Sequence, residues 1–414
     1  MEFWTPTPPT KSEMMDHDVP FSGNHLKGKR VALLVSGGIA AMKSPLITRG
    51  LRRYGAEVIA YVSDEARRYV ALDALEWATN NPVVSALTAR SEHLSKEKPF
   101  DAYLVAPATY NTINKFRHGV ADSVITTTLA SALGLREKNQ TQILIAPTMH
   151  GDMHNSILQE SLECLKAKGV LLIPPRDAYG KHNLPESEVL SAFVCAALSA
   201  SPLKGVKVLV TAGGTPTPID NVRCITNRFR GRLGIEIAKE LTLRGAQVEL
   251  ILGAGSVAGP SFIKTQSVAD FDLYKQAVLE KSGSFQPDFG IFCAAVADYA
   301  PKSKFDGKIP SDGSLSSLEL VPTEKVIGLV QQQFPRMKMV SFKYQEKVSI
   351  EELMRIGHRR LEQGHLAVVA NRGEDSSIQG DQVAFLLAHQ REPTKLVSKI
   401  GIATGLCDFL EAQV

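Results

Sequence analysis

The stretch TAGGTPTPIDNVRCITNRFRGRLG, residues 211–234, follows the apolar run VKVLV (206–210) directly and leads into a helical pattern. It places a glycine-rich turn, an acid, an asparagine and arginines where a strand hands over to a helix, so it is expected to hold a phosphate-bearing ligand. Further toward the N-terminus a second strand-to-helix glycine turn stands at VALLVSGGIAAMKS, residues 31–44. The two turns lie in unrelated sequence contexts, which predicts two nucleotide-type sites.

The alternation around both turns gives the fold class. Short apolar runs (RVALLV, EVIAYV, AYLVAP, QILIAP, VLLIPP) alternate with helical stretches such as SPLITRGLRRYG and NSILQESLECLKAKG. This is the pattern of a parallel sheet covered by helices on both faces. The second half repeats it with QVELILGAG, DFGIFCAAVADY, KMVSFKYQE, LAVVAN and QVAFLLAHQ, without a tandem copy of the first half. LSASPLKG, residues 198–205, is a small-residue, proline-containing passage between the two series and marks the boundary. The reading is two doubly wound α/β domains, 29–200 and 204–414, after a polar, proline-rich flexible leader over 1–28. KSKFDGKIPSDGSLSS, residues 302–317, is expected to be a disordered excursion at a strand end, where active-site flaps are found.

Composition narrows the class of function. A chain of 414 residues, 44% hydrophobic and 22% charged, can bury a full core in each half. The net charge of +4 comes without a polybasic block, so neither nucleic acid nor a membrane surface is expected as a partner, while small anionic substrates are compatible. Cysteines 164, 195, 224, 293 and 407 form no CxxC pair and no metal-ligand spacing with the histidines. That argues against a disulfide scaffold and a zinc site, leaves metal ligands unassigned, and fits a cytoplasmic enzyme. No uninterrupted apolar run approaches ~18 residues.

Open α/β sheets bind ligands beyond the carboxyl ends of their strands. In the first domain those positions are SGGIAA (36–41), SDEA (63–66), APATYNT (106–112) and APTMHGDM (146–153). Ser36, Gly37, Gly38 and Ser63 offer hydroxyls and backbone N–H groups suited to a terminal phosphate, with Ala108, Thr109 and Met149 on the neighbouring turns. A GGxxA turn also serves simply to tighten a fold, and His93 taken alone is more simply a surface or interface histidine.

The combination of GGIAAMK, His93, APATYNTINK, HGVADSVITTTLA and APTMHGDMH over about 29–190 resembles the flavoprotein family of cysteine decarboxylases, among them phosphopantothenoylcysteine decarboxylase and lantibiotic-processing enzymes. The resemblance implies a flavodoxin-like FMN domain with His93 and Asn111 catalytic. In that family FMN oxidises the cysteinyl thiol, CO2 departs, and an enethiol results. Two departures stand out. The family's PxMNxxMW reads PTMHGDMH, with His150 and His154 at its asparagine and tryptophan positions. Its substrate clamp ACGxxGxGRM corresponds to AYGKHNLPE, with Tyr179 at the proton-donating cysteine. A tyrosine, with an ordinary pKa of ~10 against ~8.5 for cysteine, donates a proton less readily.

In the second domain the opening motif, AAVADY at 294–299 and the lysine of GKIPS resemble the phosphopantothenate–cysteine ligase domain over about 204–412. Fused in this order, the halves look like the bacterial bifunctional coenzyme A biosynthesis flavoproteins. The resemblance implies a Rossmann-like synthetase in which 4'-phosphopantothenate is activated by a nucleoside triphosphate, CTP or ATP, with Mg2+, and then joined to cysteine. By motif position Gly213, Gly214 and Thr215 line the phosphates, Asn227 holds the acyl-nucleotide, Asp298 contacts the base, Lys308 neutralises developing charge, and Asn371 stands at a neighbouring strand end. Here too the chain departs: KIPS replaces KIKK, Phe229 and Arg230 replace serines, and FKYQE replaces FKAET. The family also implies a homo-oligomer with the FMN site at a subunit boundary. The alternatives are a ligase whose FMN domain is inactive or purely oxidative, and a non-catalytic flavin-binding assembly subunit.

Overall fold

The computed structural model describes residues 7–94, 98–310, 317–375 and 381–414. They form two units, one ending at Leu198 and the other beginning at Ser199.

The first unit runs β1 (Arg30–Val35), α1 (Ser44–Arg52), β2 (Glu57–Val62), α2 (Leu72–Thr79), β3 (Ala102–Ala108), α3 (Tyr110–Arg117), α4 (Val124–Glu137), β4 (Gln142–Pro147), α5 (Ser156–Ala167), β5 (Leu171–Leu172) and α6 (Ser187–Leu198). The strands order β2-β1-β3-β4-β5 and every pair is parallel. Buried on both faces, they read as continuous apolar runs: all of AYLVAPA in β3 is buried. Ala32, Leu34, Tyr103, Val105 and Ile145 face Ile113, Ile125, Leu129 and Leu158 from α3, α4 and α5. Helix starts are set locally: Thr109 caps α3, Ser123 and Thr126 form a reciprocal cap on α4, and Asn155 caps α5. The order places the switch point between β1 and β3, the ligand position of flavodoxin-like sheets.

The second unit runs β6 (Lys207–Ala212), α7 (Arg232–Leu243), β7 (Gln247–Gly253), β8 (Lys264–Val268), α8 (Phe271–Ser284), β9 (Phe289–Phe292), α9 (Val326–Gln333), β10 (Lys338–Gln345), α10 (Ile350–Glu362), β11 (Ala367–Arg372), β12 (Val383–Ala388), β13 (Thr394–Val397) and α11 (Lys399–Glu411). Its sheet orders β8-β7-β6-β9-β10-β11-β12-β13, a Rossmann-like parallel core extended by two antiparallel strands. Alternation splits the sheet's residues between two cores. Val208, Val210 and Ile291 join α7 and α11, while Leu209, Ile251 and Phe292 join α8 and α9.

Two segments differ from the sequence reading. The leader is not free from Asp18 onward: Ser22 N–H donates to Arg53 O, Arg49 donates to Asp18 O, and Leu26 is fully buried. An apolar Leu26 with a backbone partner gives this polar segment a reason to dock. In the expected excursion, residues 302–310 are tied to the 219–223 turn by Phe305 N–H to Ile219 O at 2.9 Å and Asn221 N–H to Gly307 O at 3.0 Å. Residues 311–316 of it lie outside the described residues.

Candidate functional site

In the first unit a cavity of about 710 Å³ opens at the carboxyl ends of β1, β2 and β3. Its lining includes Gly37, Ser63, Glu65, Thr109, Asn111, Lys115, Asp122, Ser123, Thr126 and Met149. Gly37 is required by space, since a Cβ there would lie 2.3 Å from Glu65 Cβ. The Thr109 hydroxyl caps α3 through Thr112 N–H, and Asn111 stands exposed in that helix's first turn, where amide N–H groups lack intrahelical partners. Lys115 lies 2.6 Å from Asp122, and that ammonium, with help from the Thr126 hydroxyl, holds the Asp122 carboxyl below its usual range. Amides, hydroxyls and one helix N-terminus therefore face the cavity, a donor set suited to a phosphate monoester.

Not every residue expected here reaches the cavity. Ser36 is buried beneath it, donating to Pro107 O at 2.7 Å and accepting from Thr109 N–H at 3.2 Å, so it ties β1 to β3. Ala108 is fully buried at the end of β3, and Gly38 begins the short helical turn 39–43 instead of lining the space. His93 sits outside the lining, in a loop fastened by Tyr61 OH donating to Glu92 O at 2.8 Å. Tyr179 occupies the tip of a hairpin, residues 176–183, with φ +56 and 91% exposure.

That hairpin carries a group the sequence reading did not assemble. Asp177 Oδ1 lies 2.5 Å from His182 Nδ1, and His182 Nε2 lies 2.8 Å from His154 Nδ1. His182 pairs across the ribbon with Met149, a residue of the cavity lining. Helix α5 separates His154 from the other two in sequence, and the antiparallel pairing of the hairpin with Met149–His150 brings them together.

In the second unit a cavity of about 680 Å³ opens where β6, β9, β10 and β11 end. Among the described residues, Arg228, Arg230, Arg232, Lys325, Lys343, Arg360 and Lys399 line it against Asp298 and Glu324. It also includes the start of α7, whose N-cap is Gly231 at φ +75, with no side-chain cap over the first amides. Helix dipole and cations thus act together on one concave surface. Below them Tyr274 and Cys293 are pushed up to about 12 by burial, so the floor is neutral at physiological pH. Burial lowers Lys343, and the neighbouring Arg360 lowers it further, against the opposite pull of Asp298.

The two motifs of this unit lie side by side. Ala295 N–H donates to Gly213 O at 2.8 Å, Ala297 N–H donates to the Thr215 hydroxyl at 2.9 Å, and Asn227 Nδ2 donates to Ala295 O at 2.9 Å. Of the expected phosphate-lining trio, only Gly213 reaches the cavity, while Gly214 and Thr215 are buried and hold AAVAD in place. A Cβ on Gly213, already at φ +84, would fall 2.0 Å from Ser256 Oγ. Asp298 and Asn371 line the cavity, and Asp298 pairs with Lys325 at 2.5 Å. Asn227 and Lys308 lie outside the lining. Lys325, Arg360 and Lys399 belong to none of the motifs read from the sequence, whereas Lys343 stands in the FKYQE turn.

Known proteins give context to both sites. Residues 203–413 match the family described as the DNA/pantothenate metabolism flavoprotein C-terminal domain, and residues 21–199 match the Flavoprotein family. The chain is 36% identical to the coenzyme A biosynthesis bifunctional protein CoaBC of Thermococcus kodakarensis, over 94% of this chain and 96% of that protein. It is 31% identical to the Bacillus subtilis protein of the same name, over 77% of this chain and 80% of that one. Among solved structures, the DNA/pantothenate metabolism flavoprotein from Streptococcus pneumoniae is similar at TM-score 0.47 and 24% identity, covering 51% of this chain and 100% of that one.

Proposed function

The chain belongs to the family of bifunctional coenzyme A biosynthesis proteins, and from that premise we propose that its two cavities are the two active centres. It is an enzyme that ligates 4'-phosphopantothenate to cysteine at the expense of a nucleoside triphosphate and decarboxylates the product with a flavin. The ligase is assigned to the second unit and the decarboxylase to the first. The observation that carries the assignment is the predominance of cations around the uncapped start of α7, which suits a triphosphate and an acyl phosphate.

Ligation begins when the substrate carboxylate attacks the α-phosphorus and the bond to pyrophosphate breaks. The cysteine amine then attacks the acyl carbon, losing a proton as the nucleotide leaves. Charge on the phosphoryl oxygens rises in the first step, and Arg228, Arg232, Lys325 and Lys343 are placed to receive it. Asn227 acts from the rim on the acyl-nucleotide, and Lys308 acts from the 302–310 segment. Among the described residues Asp298 and Glu324 are the carboxylates of the lining and would be the protein groups available to Mg2+, which would supply neutralisation of phosphate charge. The nucleoside triphosphate is CTP or ATP.

For the decarboxylase, the Gly37 cradle, the Ser63 and Thr109 hydroxyls and the start of α3 fit the phosphate of FMN, which when bound supplies oxidation of the thiol and return of the electrons. Asn111 orients the substrate carboxylate and His93 acts on the thiol proton. We place the enzyme in the cytoplasm as a homo-oligomer.

The test is mass spectrometry of products from flavin-loaded protein given synthetic 4'-phosphopantothenoylcysteine. Formation of 4'-phosphopantetheine, lost in His93→Asn, is expected. A product lacking CO2 but oxidised at the thiol would mean that Tyr179 cannot replace the cysteine, and no product would leave only the ligase.

A further inference from the structure

We infer that Asp220 is the positioning residue for Lys308: its buried carboxylate and the turn that it caps hold the residues on either side of the lysine. The inference rests on the proposed role of Lys308 in ligation. Asp220 belongs to the TPTPID motif, yet it does not line the cavity, and its side chain is fully shielded from solvent. A buried carboxylate remains ionised only where donors surround it. Four donors do so here. Oδ1 accepts from Val222 N–H at 2.7 Å and Arg223 N–H at 2.6 Å, which closes its own turn. Oδ2 accepts from Arg223 Nη1 at 2.9 Å and, across the gap in sequence, from Ile309 N–H at 3.0 Å.

The remaining ties have the same target. Arg223 donates through both Nη1 and Nη2 to Ile309 O at 3.2 Å, and Asn221 N–H donates to Gly307 O at 3.0 Å. The Ile309 side chain is itself buried. Gly307 and Ile309 are thus both moored to one rigid turn, and Lys308 stands exposed between them. The two oxygens divide the work: Oδ1 shapes the turn and Oδ2 reaches Ile309. Burial disfavours the ionised carboxylate, but the three backbone donors and the guanidinium outweigh it and keep the group below its ordinary range.

This division supplies a clean variant. Asp220→Asn can keep an acceptor on the turn side while presenting an amide to Ile309 N–H and to the guanidinium, so the turn persists and the direct tie to Ile309 N–H is lost. Ligation kcat in the full-length protein is expected to fall about 10- to 100-fold, the cost of misplacing a group by roughly 1 Å. KM for the nucleoside triphosphate and the decarboxylase rate should not change. Lys308→Ala should lower kcat at least as far, and the double variant should be no slower than Lys308→Ala, because Asp220 acts only through the lysine. Hydrogen exchange at the Ile309 amide should accelerate in Asp220→Asn without a change in global stability. Additive losses in the double variant, or slow Ile309 exchange retained in Asp220→Asn, would overturn the inference. Unchanged ligation in Lys308→Ala would instead remove the role of Lys308, and the inference with it.

Discussion

The two glycine turns invite comparison. At the first, Gly37 faces the cavity with the Ser63 and Thr109 hydroxyls and the start of α3, and the charged lining is of both signs, Glu65 and Asp122 beside Lys115. At the second, two of the three turn residues point inward to grip AAVAD, and the cavity is lined mainly by cations drawn from five separate stretches of chain. The same strand-to-helix geometry therefore serves two electrostatic purposes. A set of amides and hydroxyls without a surplus of cations suits a single phosphate on a resident cofactor. A cationic wall suits a polyanion whose charge grows during the reaction and which must leave afterwards.

The sharpest way to break this comparison is to disable each cavity alone. Asn111→Ala should reduce decarboxylation about 10²- to 10⁴-fold and leave ligation intact. Lys343→Met should reduce ligation about 10²- to 10³-fold and leave decarboxylation intact. Steady-state assays of both activities on both variants decide the matter, and a variant that impairs both equally would mean that the cavities are not separate centres.

Backbone closeness comes next. The second turn depends on α7 approaching β6, where a Cβ on Gly234 would lie 2.5 Å from Ala212 Cβ. Gly234→Ala should lower stability by about 1–3 kcal/mol and weaken nucleotide binding, read from denaturant midpoints and titration calorimetry. At the first turn Thr109→Ala removes a side chain without touching a close backbone approach, and should cost only about 1 kcal/mol through loss of the α3 cap.

The pH response sharpens the electrostatic contrast. Because Lys343 is depressed from the ordinary lysine value, nucleotide binding should begin to weaken with rising pH before a free lysine would titrate, and Lys343→Arg should move that limb upward. His365, buried beside Arg360 and lowered from 6.5 to about 4 by burial and that cation, behaves in the opposite direction. Its folded pKa is depressed, so its share of stability is complete above about 6.5 and lost as pH falls from there toward 4. His365→Leu should flatten the acid limb of second-unit stability, measured by thermal melts across pH.

The α/β class and the position of the glycine turns between strand and helix were legible in the sequence because they are local. Apolar runs report burial on both sheet faces, and a glycine after a strand reports a turn that tolerates no side chain. What lay beyond the sequence was which members of each motif face the ligand. Thr215 and Asp220 stand inside a conspicuous motif and turn away from the cavity, because their partners, Ala297 and Ile309, arrive from distant chain and satisfy them there. Lys325, Arg360 and Lys399 belong to no motif: they come from the starts of α9 and α11 and the last turn of α10, and only the packing of those helices brings them to one cavity. The Asp177–His182–His154 chain likewise exists only through antiparallel pairing of two ribbons. Sequence sets the elements and the chemistry available at their ends. Tertiary structure decides which of those groups is used to hold the protein together and which is left to meet a ligand, since a buried polar group must first be satisfied by its neighbours.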